Sequence, residues 1–204
     1  MKLTKNELRV QQTRLNQLKR YLPTLQLKKS MLQYEVDLVE REIALLEEEY
    51  RAIFGRVEIF SPFLLEKVDA NLLAYAGVQH VKKSYENIAG VEIPQFDRVL
   101  FRDVEYFLFD TPIWTESATD LLRELVTARE KTAVAREKQR ALKKELREVS
   151  IRVNLFEKVL IPRAAEQIKK IRVFLSDQQL AAVAQAKVAK AKLLMKKSQR
   201  REAI

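Results

Sequence analysis

Two apolar columns spaced by heptads run through about the first fifty residues and set what this chain can become. One column reads Leu8, Leu15, Leu22, Lys29, Val36, Ile43 and Tyr50; the other reads Gln11, Leu18, Leu25, Leu32, Val39, Leu46 and Ile53. Only Gln11 and Lys29 interrupt them. An a/d pattern held this long specifies a helix that buries a narrow seam against a partner helix. At 1.5 Å per residue, Leu8 to Ile53 spans roughly 69 Å, more than a small globular domain is wide.

A second register occupies the far half of the chain. Ala118, Leu121, Leu125, Ala128, Thr132, Ala135, Gln139, Leu142, Leu146, Val149, Val153, Phe156 and Leu160 follow alternating steps of three and four. Past Leu160 the pattern resumes one residue late, as Ala164, Ile168, Ile171 and Leu175, a stutter that coincides with Pro162. It continues in small residues, Ala182, Ala186 and Ala189, to Leu193. Residues 115–198 are therefore expected as one helix on the order of 120 Å long.

Helix ends and breaks follow from local chemistry. Thr4-Lys5-Asn6-Glu7 reads as a capping box, so the first helix is expected from Thr4 to about Phe54, stopping at Gly55. Pro23 inside it predicts a kink. Thr111-Pro112 offers a start for the second helix, with Thr115 and Ser117 as later candidates.

Residues 55–114 differ in character. They hold Gly55, Gly77, Gly90, Pro62, Pro94, Pro112, Trp114 and six of the nine phenylalanines. Phe63 to Tyr75 reads as a short helix. Val91-Glu92-Ile93, Val99-Leu100-Phe101 and Tyr106-Phe107-Leu108-Phe109 read as extended segments. The expected fold is mainly α: a long antiparallel two-helix coiled coil with a small mixed α/β head in the middle of the chain. Its parts are an N-terminal helix at 1–54, the head at 55–114 and a C-terminal helix at 115–204. Antiparallel return is the simplest closure, and it leaves the longer second helix overhanging.

Charge is unevenly placed. The net charge is +10, with eight Lys/Arg in residues 1–30 against Glu7 alone, and seven in 187–204 against Glu202. Residues 35–49 reverse this, carrying Glu35, Asp37, Glu40, Glu42, Glu47, Glu48 and Glu49 against Arg41. There is no cysteine, hence no disulfide or thiolate chemistry. No run approaches ~18 consecutive apolar residues, and Met1-Lys2-Leu3-Thr4 leads into a charged helix, so a soluble chain reaching membranes only through partners is expected.

No catalytic constellation emerges. His80 is the sole histidine, which excludes His-based metal sites and triads. Lys83-Ser84 lacks the glycines of a phosphate loop. Glu47-Glu48-Glu49 reads as a solvated helix face. The lysines of 187–197 are interleaved with alanine and offer no base-stacking platform. A nucleic-acid-binding coiled coil and a generic coiled-coil adaptor both fit the composition.

One stretch is more specific than its periodicity. Val153-Asn154-Leu155-Phe156-Glu157-Lys158-Val159-Leu160-Ile161-Pro162-Arg163, then Ile168-Lys169-Lys170-Ile171, resembles the hallmark of the D subunits of V-type and A-type ATPases, the central-stalk rotor family. There an Arg-Val-Asn-Ala-Leu-Glu run leads into Ile-Pro-Arg; here Arg152 supplies the arginine and Phe156 replaces leucine. The N-terminal Thr4, Arg14-Leu15 and Leu27-Lys28 are similar to the family pattern, with Pro23 where glycine is usual and Gln26 replacing a leucine. Ser176-Asp177-Gln178-Gln179-Leu180 and the Ala/Lys repeats depart from the family's Glu/Arg-rich end, which suggests a divergent bacterial member.

The resemblance implies a non-catalytic, cytoplasmic rotor shaft, peripheral to the membrane, without cofactor, nucleic acid or membrane insertion. Its implied partners are the bore of the catalytic A/B hexamer, the small F subunit on the stalk and a funnel-shaped adaptor above the membrane ring. The implied motif residues are Arg152, Val153, Asn154, Ile161, Pro162 and Arg163. The implied hexamer-facing tip carries Lys187, Lys190, Lys192, Lys196 and Lys197. The expected seam comprises Leu15, Leu18, Leu22, Leu25, Leu32, Val36, Val39, Ile43 and Leu46 on the first helix. On the second it comprises Leu142, Leu146, Val149, Val153, Phe156 and Leu160.

Overall fold

A computed structural model describes residues 2–65, 76–102, 112 and 114–202. Its elements are α1 (Lys5–Leu65), β1 (Val78–Ile88), β2 (Val91–Phe101), α2 (Thr115–Leu155), a π-helical turn (Phe156–Leu160) and α3 (Ile161–Glu202). The long helices pack antiparallel, with the β-hairpin between them in the chain. Two compact units result, one of residues 1–26 with 151–204 and one of residues 27–150.

Within the unit of residues 27–150, ion pairs fix the direction of packing. Lys28 pairs with Glu145 at 2.8 Å, Glu42 with Lys138 at 3.2 Å, Glu47 with Arg136 at 2.8 Å and Arg56 with Glu124 at 2.5 Å. As numbers rise along α1, partners fall along α2, the signature of an antiparallel pair. The acidic run of residues 35–49 thus faces the basic Lys131, Arg136, Lys138 and Lys143 of α2. Each such exposed pair contributes at most about 1 kcal/mol, so the pairs select register while the seam supplies stability. Leu32, Val36, Val39 and Ile53 of α1 and Ala128, Ala135, Leu142 and Val149 of α2 are buried, at ~1.5–3 kcal/mol for each large aliphatic.

The first helix does not stop at Gly55. It runs through Gly55 and Pro62 to Leu65. Ile53 is buried and Arg56 holds Glu124, so packing on α2 outweighs the ~1 kcal/mol helix penalty of a glycine with nothing within 4 Å of its Cβ position. Pro23 likewise lies inside α1 without ending it. The N-terminus keeps half of the capping box: Glu7 N–H donates to Thr4 Oγ1 at 3.3 Å, while the Glu7 carboxylate turns to Gln11 instead.

The second helix runs without a gap from Thr115 to Glu202 but is not α-helical throughout. A π turn separates α2 from α3, and α2 starts at Thr115, whose N–H donates to Pro112 O at 3.0 Å. The expected start at Thr111, most of the expected helix 63–75 and the extended stretch 106–109 lie outside the described residues.

The segments 91–93 and 99–101 belong to one strand, β2, which pairs antiparallel with β1. The turn is tight: Ala89 has φ 52° and Gly90 φ 82°, and Gly90 N–H donates to Asn87 Oδ1 at 2.9 Å. The hairpin lies on the helices of its unit. Ile93 and Pro94 are buried, Lys83 pairs with Glu137 at 2.6 Å, and the Arg123 guanidinium sits 5.3 Å from the Phe101 ring centroid. A non-glycine residue at positive φ is strained, and asparagine tolerates that region best. Ala89→Asn is expected to stabilise the protein by about 0.5–1 kcal/mol, read as a rise in the urea midpoint with unchanged m.

Candidate functional site

The functional features of this chain are surfaces. Among the described residues no group of three His, Asp or Glu is placed to hold a metal ion. His80 is exposed on β1, Lys83 is committed to Glu137, and Glu47 and Glu49 are partners of Arg136 and Lys131. The Glu166 carboxyl is held below the usual range by hydrogen bonding and charge from Lys170, 2.7 Å away on the same exposed helix face. None of the helices is long and apolar enough to cross a membrane among the described residues.

The seam is the first surface. In the unit of residues 1–26 and 151–204, Leu15, Leu18, Leu22 and Leu25 are half-buried, Val153 is buried, and Phe156 and Leu160 are half-buried. In the other unit Ile43, Leu46 and Leu146 are half-buried, beside the fully buried Leu32, Leu142 and Val149. No position of either heptad column is exposed, including Gln11 and Lys29.

The π turn explains the stutter. Ile161 N–H donates to Phe156 O, five residues back, so this turn takes up one residue more than an α-helical turn. That extra residue is the one by which the register runs late. Absorbing it returns Ala164, Ile168 and Ile171 to the buried face. Pro162 follows at once, where a missing N–H and a bulky ring would otherwise break an α-helical bond. Of the motif residues, Val153 is buried and Ile161 half-buried, while Arg152, Asn154, Pro162 and Arg163 are exposed.

Opposite the π turn lies the polar seam residue. Gln11 is 9% exposed; its Nε2 donates to Glu7 Oε1 at 2.8 Å and its Oε1 is buried without a protein partner. With Arg14, Leu160, Arg163, Ala164 and Gln167 it lines a cavity of about 230 Å³.

The bare end of α3 is the second surface. Leu175 is half-buried, and every residue from 176 to 195 is exposed. Ala182, Ala186, Ala189 and Leu193 therefore continue the helix but bury nothing. Lys187, Lys190 and Lys192 are exposed there, and Lys196 and Lys197 lie on the same helix.

Seam, stutter and motif point one way, and comparison with known proteins agrees. The sequence profile of the ATP synthase D-subunit family matches residues 7–191. The chain belongs to that family. It is 43% identical over 203 residues to the V-type ATP synthase D subunit of Chlamydia abortus, covering 98% of this chain and 96% of that protein. The D subunit of Chlamydia pneumoniae is 39% identical over 209 residues, covering 100% and 98%, and that of Chlamydia trachomatis serovar L2 is 42% identical over 198 residues, covering 95% and 96%. The D subunit is a non-catalytic stalk component of the V-type ATPase, so surfaces rather than an active site carry its work.

Two outcomes test this geometry. Gln11→Leu removes a buried unsatisfied acceptor and extends the apolar column, so it should stabilise the protein by about 1 kcal/mol in thermal unfolding. Pro162→Ala alone should leave the π turn in place, because the register still carries one extra residue. Deleting Lys158 in the same variant should give an unbroken α-helix with Ala164, Ile168 and Ile171 still buried, as judged by backbone NMR shifts.

Proposed function

We propose that this chain is the central rotor shaft of a V/A-type, proton- or sodium-translocating ATP synthase/ATPase. It transmits torque between the membrane ring and the catalytic A/B hexamer and binds no nucleotide itself. The observation that carries this reading is the heptad seam. Two helices locked by packing on one face and ion pairs along its edge resist sliding, as a shaft under torsion requires. The end of α3 that carries Lys187, Lys190, Lys192, Lys196 and Lys197 is the one that enters the hexamer bore. The F subunit on the stalk and a funnel-shaped adaptor above the membrane ring complete the partners. Residues 55–114 serve as the head at the membrane-facing end.

Co-expression with the A, B and F subunits, followed by native mass measurement, is the direct test. One copy per A/B hexamer is expected. A stable homodimer, or salt-sensitive nucleic-acid binding in place of assembly, would overturn the rotor reading in favour of a coiled-coil adaptor or a nucleic-acid binder. Leu146→Asp and Val153→Asp should each loosen the shaft and uncouple ATP hydrolysis from ion transport; an assembled mutant with normal coupling would sink the mechanism. Truncation after residue 180 should weaken insertion into the hexamer.

A further inference from the structure

The compact unit of residues 1–26 and 151–204 carries nineteen Lys and Arg against five Asp and Glu. The unit of residues 27–150 carries nineteen against twenty-three, so the positive charge of the chain is concentrated in the first. The cavity beside the π turn belongs to that basic unit. Its walls come from Gln11 and Arg14, three apart on α1, and from Leu160, Arg163, Ala164 and Gln167, spaced so that they share one helix face. At about 230 Å³ it has far more room than one water needs. No acidic side chain lines it. Glu7 is engaged by Gln11 Nε2, and Glu166 by Lys170 at 2.7 Å. Among the described residues Arg14, Arg163 and Gln167 have no protein partner. Two guanidinium groups thus edge one small cavity with nothing to balance them, while Gln11, 91% buried, leaves its Oε1 without a donor.

These groups ask for two things of an occupant. The guanidinium groups offer paired N–H donors that match the oxygens of a tetrahedral or planar oxyanion. The Gln11 carbonyl oxygen is an acceptor and needs an O–H or N–H from the same occupant. Sulfate and carboxylate satisfy the first demand and present a bare oxygen to the second. A phosphomonoester, whose second pKa is about 6, also has no hydroxyl left above neutral pH. Free hydrogen phosphate keeps one hydroxyl beside its charged oxygens and meets both demands. We propose that the Gln11–Arg14–Arg163 cavity is a binding site for inorganic hydrogen phosphate. Arg14 and Arg163 hold its charged oxygens, Gln167 supplies a further amide donor, and Gln11 Oε1 accepts its hydroxyl. The site does not depend on the shaft reading.

Calorimetric titration of the full chain with phosphate, sulfate and adenosine monophosphate tests this, at constant ionic strength and a pH of about 8. Phosphate is expected to saturate at one site per chain. Sulfate and the monoester should bind about tenfold more weakly, the effect of one hydrogen bond left unmade at a buried acceptor. Gln11→Leu should bring phosphate down to the level of sulfate and leave sulfate unchanged. That variant is expected to be the more stable protein, so its loss of phosphate is not a loss of fold. Arg163→Gln should weaken all three anions by roughly tenfold or more. Arg172→Gln, which removes the same charge from the same unit outside the cavity, should change none of them appreciably. Equal binding of the three anions by the unaltered chain overturns the site and leaves only the general attraction of a basic unit. So does a phosphate preference that survives Gln11→Leu, or an Arg172→Gln effect as large as that of Arg163→Gln. No readout here involves assembly, so any of these failures leaves the shaft reading standing.

Discussion

The a/d seam is the constraint on which the rest depends. A helix pair has no enclosed core, so nearly all its burial lies along one line, and each position on that line is shared by two helices. The polar edges follow from it. Once the seam sets which residues face each other, Glu42, Glu47 and Glu49 must meet the cations of α2, and a run of acids that looks like a solvated face becomes a register code. The hairpin follows as well, because β1 and β2 form a two-stranded sheet too small to stand alone and bury Ile93 and Pro94 against helices already held together.

The helices are legible in the sequence because heptad periodicity is a one-dimensional signal repeated many times. Even the late resumption at Ala164 is readable, although as a stutter at Pro162 rather than as the π turn that absorbs it five residues wide. The end of α1 is not legible. Gly55 and Pro62 are strong local stop signals, and the burial of Ile53 and the bond of Arg56 to the distant Glu124 override them. Strand β1 escapes notice because Val78–Ile88 carries Gln79, His80, Lys82, Lys83, Ser84, Glu86 and Asn87, and no period of two stands out. Its strand character comes from pairing with β2 and from the Lys83–Glu137 bond, neither of which is local.

The candidate surfaces divide in the same way. The seam residues and the bare lysines of α3 follow from spacing and from the unequal lengths of the two registers. In the sequence Gln11 is visible only as an interruption of a column; its meaning as a buried amide facing the π-turn region needs the fold. The exposed Leu27, Tyr34, Leu38 and Leu45 of α1 obey the same spacing rule as the seam, but in a different frame. The stronger seam signal masks them until burial shows which residues stay bare.

The two exposed apolar regions differ in one respect that matters for motion. On α1 the exposed Leu27, Tyr34, Leu38 and Leu45 share a narrow line. On the bare turns of α3, Leu180, Val183, Val188, Leu194 and Met195 are exposed within an arc of about 140° at 100° per residue, and Leu193 alone of the exposed large residues lies outside it. Alanine, lysine, leucine and glutamine, all strong helix formers, hold those turns helical without any burial. Such a rod presents most of its large apolar residues over less than half of its circumference. A sleeve around it would meet a broad apolar arc at one angle and alanine, glutamine and lysine at another, so the energy of turning it would vary with angle.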